Sequence, residues 1–277
     1  MPESIKILDF NDALNLIKKN TMSAATAVWI PSLSRSFKFR QLTTQQHKEL
    51  LKCAINASVL KSEMNIVLYN ILKDCLVDDA NVDQFTILDK IAICYQLRRF
   101  NSGNFVKCEF NVDGVKHYNN FDIDIAIDNF EQNYSSVVLD SVINSSNLQV
   151  RVSIPTLKTQ KEIDEYVVNN HIADLHTISD EEPNSLNNFL AEIIIYNIIQ
   201  FIDEIDINGS TIAFNKLTVD ERIQLVNQLD KSTFDKISKF VSEFNQLKET
   251  LINNKFEYNG TTINFPLDLN SNFFVTE

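Results

Sequence analysis

The segment FDIDIAID (residues 121–128) places Asp122, Asp124 and Asp128 at even spacing. Read as a strand, it projects all three carboxylates from one face. Such a face suits a hard divalent cation, which takes carboxylate oxygens. A solvated polar face opposite an apolar one gives the same alternation with no ligand. A second acidic run, EIDINGSTIAFN (204–215), sets Glu204, Asp206 and Asn208 ahead of Gly209 in a calcium-loop register. Its first position is Glu, and Asn215 stands where the loop needs a bidentate Glu, so a hairpin turn between helices is the better reading. His47, His117, His171 and His176 lack zinc spacing; the last two are five apart, off the i, i+4 face of helical ligands. Cys53, Cys75, Cys94 and Cys108 contain no CxxC pair, and three fall on predicted helices, as expected of small buried thiols in a reducing compartment. No Ser occupies a GxSxG elbow, and the four glycines stand singly in turns, which excludes phosphate-cradling loops and dinucleotide fingerprints. No catalytic residue, metal ligand or cofactor is expected, and the chain reads as a binding or structural protein. A metal-dependent enzyme with a dispersed site on Asp122 and Asp124 is the alternative from another class.

The elements that must position any site follow from periodicity. Residues 5–19 predict an amphipathic helix with Phe10, Ala13, Leu14 and Ile17 on one stripe. Phe37 and Phe39 alternate with Lys38 and Arg40 as a half-buried strand, and Thr43 with Gln46 fits a capping box opening a helix. Further helical patterns cover 63–76 and 83–98. The middle is β-rich: a hairpin about Asp113-Gly114, the strand 121–128, and LQVRVSI (148–154), with Pro155 ending it. Helices return over 158–168, 186–202, 218–229 and 233–251. The third-to-last of these runs, 186–202, is apolar on nearly every side and reads as a central buried helix; the last two read as an antiparallel pair. KFEYNGTTINF closes the chain as an Asn-Gly hairpin. The expected class is α+β, mostly α, with helical subdomains flanking short antiparallel hairpins. Four regions are expected: a helical extension (1–24), a strand-plus-helices region (25–100), a β-rich middle (101–157) and a helical C-terminal region with its hairpin (158–277).

A formal net charge of -12 disfavours nucleic acid, whose phosphates need a basic face. No apolar run reaches the ~20 residues of a membrane span, and the first 20 residues lack a signal peptide's apolar core, so no membrane partner is expected. Against this acidic background, Arg35, Lys38, Arg40 and Lys48 crowd into one run whose only acid is Glu49. Two explanations compete. The basic face of the strand meets a partner, or it pairs with the acidic strand 121–128, each opposite-charge pair adding roughly 0.2–1 kcal/mol.

The succession IPSLSRSFKFRQLTTQQHKELL, then VDQFTILDKIAICYQLRRFNSGNFVKCEF, then VRVSIPTL, then LTVDERIQLVNQLDKSTFDKISKFVSEFNQLKETL resembles the T4-like phage baseplate hub and hub-assembly family. The opening motif is carried here by Pro31, Ser32, Phe37, Lys38, Phe39, Arg40, Leu42 and Thr43. The resemblance implies a non-enzymatic protein of a contractile phage tail, in the host cytoplasm during assembly and in the baseplate if retained. It implies partners among other tail and baseplate proteins, and leaves open homo-oligomerisation in a symmetric assembly. A tail-assembly chaperone that shields the tape measure protein is the alternative in this class. The family's cysteine pairs in the middle strands and closing hairpin, which point to zinc, are reduced here to Cys108, so turn chemistry and packing would hold the hairpins. The N-terminal helix looks like an addition. Partner-binding residues are therefore expected in two sets, Arg35, Lys38 and Arg40 on the strand, and Phe10, Leu14 and Ile17 on the helix.

Overall fold

The computed structural model describes residues 9–55, 61–135, 137–138, 140–145, 148–177, 183–267, 269 and 273. The chain opens with helix α1 (Phe10–Ser23), started by Asp9, whose carboxylate accepts the Asp12 N–H at 2.8 Å. The start of the expected helix, before residue 9, lies outside the described residues. Strands β1 (Ala25–Ile30) and β2 (Arg35–Arg40) then form an antiparallel hairpin around a 3-10 turn at Pro31–Leu33. The Thr43–Gln46 capping box is present, with Thr43 N–H to Gln46 Oε1 at 2.9 Å and Gln46 N–H to Thr43 Oγ1 at 3.2 Å. It opens α2 (Thr44–Ile55), which is followed by α3 (Lys61–Cys75).

Helix α4 (Ile87–Ser102) is the centre of the molecule. Every residue from Ile87 to Arg98 is buried, including Asp89, Lys90, Gln96 and Arg98. It starts later than its apolar pattern suggests, because Thr86 and Asp89 make the capping box and Val82–Gln84 form a separate 3-10 turn. Hairpin β3 (Phe105–Val112) and β4 (Val115–Asp122) follows as expected; Asp113 and Gly114 both take positive φ, the geometry its two-residue turn requires.

The expected strand at 121–128 is overturned. β4 ends at Asp122, which caps helix α5 (Ile123–Tyr134) by accepting the Asp124 N–H at 3.0 Å. Ile123, Ala126, Ile127 and Phe130 are buried at i, i+3, i+4 and i+7, while Ile125 is exposed. The eight-residue window satisfied a period of two only because Ile125 is an exposed apolar residue; the longer window has the helical period.

Strands β5 (Asp140–Asn144) and β6 (Leu148–Ser153) precede α6 (Leu157–Thr177) and α7 (Pro183–Ile199). The run 204–215 is the hairpin of β7 (Ile202–Ile207) and β8 (Ser210–Ala213). It joins the preceding strands in a four-stranded antiparallel sheet of order β5-β6-β7-β8. The pairing of β6 with β7 thus links segments on either side of residue 157. Helix α7 is not the central buried helix: Tyr196, Ile198 and Ile199 are buried, but Ile194 is 54% exposed. Helices α8 (Val219–Asn227) and α9 (Lys231–Ile252) each pack on α7, instead of forming the expected pair. Strands β9 (Asn253–Tyr258) and β10 (Thr261–Pro266) make the closing hairpin. It packs on β3–β4 through rings: Phe110 lies 5.2 Å from Phe256 and 4.9 Å from Tyr258, and the Tyr258 hydroxyl meets His117 Nδ1 at 3.1 Å. The α+β class, mainly helical with small antiparallel sheets, is as expected.

Candidate functional site, an outward basic face beside the N-terminal helix

The motif IPSLSRSFKFRQLTT divides cleanly by direction. Pro31 is buried, and Ser32 donates its N–H to Asp89 Oδ1 at 3.0 Å and its hydroxyl to Asp89 Oδ2 at 2.6 Å. The same carboxylate accepts the Thr86 N–H (2.7 Å) and hydroxyl (2.8 Å). A fully buried charge is thereby given four donors, the condition under which such a charge is tolerated. Val28, Ile30, Phe37 and Phe39 form the inner face of the hairpin, with Phe37 and Phe39 against Phe85 at 5.3 and 6.4 Å. Leu42 N–H is taken by Asn101 Oδ1 at 2.8 Å, and Gln96 holds the Trp29 N–H at 3.3 Å. The hydroxyl and apolar residues of the motif therefore dock the hairpin on α4.

The basic residues point elsewhere, and not in one way. Lys38 is exposed, while its backbone is fixed to the segment after α3: its N–H bonds Asp78 Oδ2 at 2.7 Å and its carbonyl accepts the Val77 N–H at 2.9 Å. Arg35 is exposed beside the hairpin turn, its guanidinium 4.2 Å from the Phe37 ring centroid, a cation–π contact. Arg40 is half-buried and faces inward, bonding the Asp74 carbonyl at 3.0 Å, the Gln41 carbonyl at 2.9 Å and Gln46 Oε1 at 3.2 Å. It thus caps the last turn of α3, where carbonyls lack helical partners. On the outer face, Trp29 opposes Ser36 and Ala27 opposes Lys38. Trp29 remains 39% exposed.

Pairing of the basic strand with an acidic strand is overturned. The partner of β2 is β1, and Asp124 instead binds Arg99 at 2.7 Å and Asn104 at 2.8 Å. Asp122 is spent as a helix cap. Among the described residues no group of three or more His, Cys, Asp or Glu side chains is arranged to hold a metal ion. Asp206 serves its own turn, accepting the Gly209 N–H at 2.9 Å and the Thr211 hydroxyl at 3.1 Å. Among the thiols, burial raises Cys75 to about 11 and Cys94 to about 12, which keeps both protonated and unreactive at neutral pH.

The second expected set lies on α1. Phe10 is 78% exposed, Ile17 63%, and Leu14 also presents surface. The helix packs against β2, so the two expected sets occupy adjoining elements. Sequence reasoning missed the buried cations. Arg98 bonds the carbonyls of Phe273, Gly103 and Phe105 at 3.0, 3.3 and 3.1 Å, and Arg222 bonds those of Phe214 and Leu217 and the Glu162 carboxylate at 2.8, 3.1 and 3.0 Å. Each sits in a run whose apolar residues are at helical spacing, and its own place in that spacing was the available signal.

No helix among the described residues is long and apolar enough to cross a membrane. Comparison with curated proteins and with solved structures gave no match. A family model does match, over residues 22–258, which takes in the docking motif, α4 and all but the last strand, and leaves out nearly all of α1. The chain belongs to the T4 bacteriophage base plate protein family.

Proposed function

We propose that this baseplate protein works at the central hub of a contractile tail, or in assembling that hub, by protein–protein contact. The observation that carries the reading is the division of the opening motif: Ser32, Phe37 and Phe39 turn inward to hold the hairpin, while Lys38 and Trp29 lie on the outer face and Arg35 stays exposed at the hairpin turn, over the Phe37 ring. Exposed Arg and Trp beside an apolar helix are the residue types that dominate binding energy at interfaces. The partner would be a tail or baseplate protein with an acidic, partly apolar surface, drawn in by complementary charge. Arg40 positions this surface by fixing β2 to α3. Helix α1, nearly all of it outside the matched family region, adds an apolar stripe that suits a groove on the same partner.

The test is the double reversal R35E/K38E in the full chain. The expected result is a melting temperature lowered only slightly, because neither side chain is buried and the Arg35–Phe37 cation–π contact is the interaction lost, together with loss of co-assembly with baseplate proteins in infected-cell lysate. Normal co-assembly of the folded double variant overturns the assignment of this face.

A further inference from the structure

A cavity of about 380 Å³ opens where α3, α6, α7 and α9 meet. This lies within the ~300–1,000 Å³ of small-molecule sites. Every one of the four helices brings a polar side chain to it: Asn65 from α3, Gln160 and Asp164 one turn apart on α6, Asn197 from α7 and Asn245 from α9. Ile163, Val241 and Phe244 add an apolar lining. Asp164 is only 9% exposed. Its carboxylate is held by Ser62 and Asn65, yet its Oδ2 has no partner among the described residues. A buried acceptor left open costs free energy comparable to a lost hydrogen bond, so the cavity suits a ligand that brings a donor.

The neighbours decide what kind of donor. The buried ammonium of Lys90 bonds Asn65 Oδ1 at 2.8 Å and Gln160 Oε1 at 2.6 Å. An ammonium only donates, so both amides turn their oxygens to it; the Asn65 nitrogen then serves Asp164, and the Gln160 nitrogen is left as a donor for a ligand. A cationic ligand would be repelled by Lys90 and an anionic one by Asp164. Neutral hydroxyls escape both penalties, and like the amides of Asn197 and Asn245 they donate and accept together. We propose that this cavity binds a neutral cyclic polyol, a monosaccharide in its ring form, with one hydroxyl donating to Asp164 Oδ2, others meeting the amides, and the C–H face of the ring against Phe244 and Ile163. The site does not rest on the baseplate reading, since none of these residues lies on the outward hairpin face.

The experiment is calorimetric titration of the full chain at neutral pH with glucose, galactose, mannose and myo-inositol, beside glucuronate, which keeps the ring and adds a carboxylate, and cyclohexanol, which keeps the ring and a single hydroxyl. Heat of binding is read in preference to melting, because sugars at high concentration stabilise any folded protein by exclusion from its surface. The expected result is saturable binding of at least one neutral hexose or the inositol with a Kd of about 1 mM or below, as a ligand of this size allows. Glucuronate and cyclohexanol should each bind at least about tenfold more weakly than that polyol. D164N replaces the open acceptor with an amide and should weaken the polyol by about tenfold, as loss of a charge-assisted bond predicts. N245A alters an exposed side chain at the cavity and leaves the buried groups in place, so it keeps the test valid if D164N fails to fold; it should weaken the polyol by about threefold or more. No saturable heat with any polyol, glucuronate binding as well as the neutral ring, or full binding by either folded variant overturns the proposal.

Discussion

At the scale of single residues, the molecule is organised by buried polar groups that hydropathy does not show. Asp89 is the clearest. Its four donors tie the Pro-Ser turn to α4, and the Ser32 hydroxyl is one of them. S32A removes a bond to a charged acceptor, and a loss of about 1.5–3 kcal/mol in urea unfolding is expected; a loss below about 0.5 kcal/mol contradicts that role for the turn. Asp164 and Lys90 behave oppositely. They attract one another, but Lys90 bonds neutral amides and no ion pair joins the two among the described residues, so burial dominates both. Burial raises Asp164 to about 6 and lowers Lys90 to about 8. The native carboxyl therefore keeps a proton that the unfolded chain releases, and its contribution, full below about pH 4, is lost as pH rises through 6. For Lys90 the unfolded chain binds the extra proton, so stability is gained between about pH 8 and 10.5. Melting temperatures of D164N should fall less than those of the native chain between pH 4.5 and 6.5. K90M should flatten the rise above pH 8.

At the scale of elements, much was legible where a short-range rule is decisive. The Thr43 capping box and the turns at Asp113-Gly114 and Asn259-Gly260 depend on a few adjacent residues, and each stands where the sequence placed it. What failed depended on distant partners. FDIDIAID alternates like a strand, and the helix shows only in the burial of Ala126 within that window and of Phe130 beyond it. Helix α7 looked central because it is apolar, yet α4 holds that place with Asp89, Lys90, Gln96 and Arg98 in its buried run, each with at least one partner far away in sequence. The candidate interface was legible as residue types, not as geometry: nothing local distinguishes exposed Lys38 from Arg40, whose donors are drawn inward by the end of α3. Helix α1 offers the cleanest test at this scale. It touches the body mainly at β2 and exposes Phe10 and Ile17. Deleting residues 1–23 should change unfolding free energy by about 1 kcal/mol or less, in the range of surface changes, while weakening partner capture. Global destabilisation on deletion would falsify the view of α1 as an appended docking element.

At the scale of the whole molecule, long-range packing ties the chain into one body. Two hairpins are zipped by Phe110, Phe256 and Tyr258, a four-stranded sheet unites distant segments, and α4 threads the centre. Such a body can hold an exposed basic and apolar surface in fixed orientation, as the proposed interface requires. Quantitative mass spectrometry of purified virions beside unassembled lysate tests this central claim most directly. The account predicts the chain in the particle at a small, fixed copy number relative to other baseplate proteins, and its loss from particles made with R35E/K38E. Abundance in lysate with absence from virions would contradict a place in the particle and leave only the other half of the proposal, an assembly factor that departs before the tail is complete.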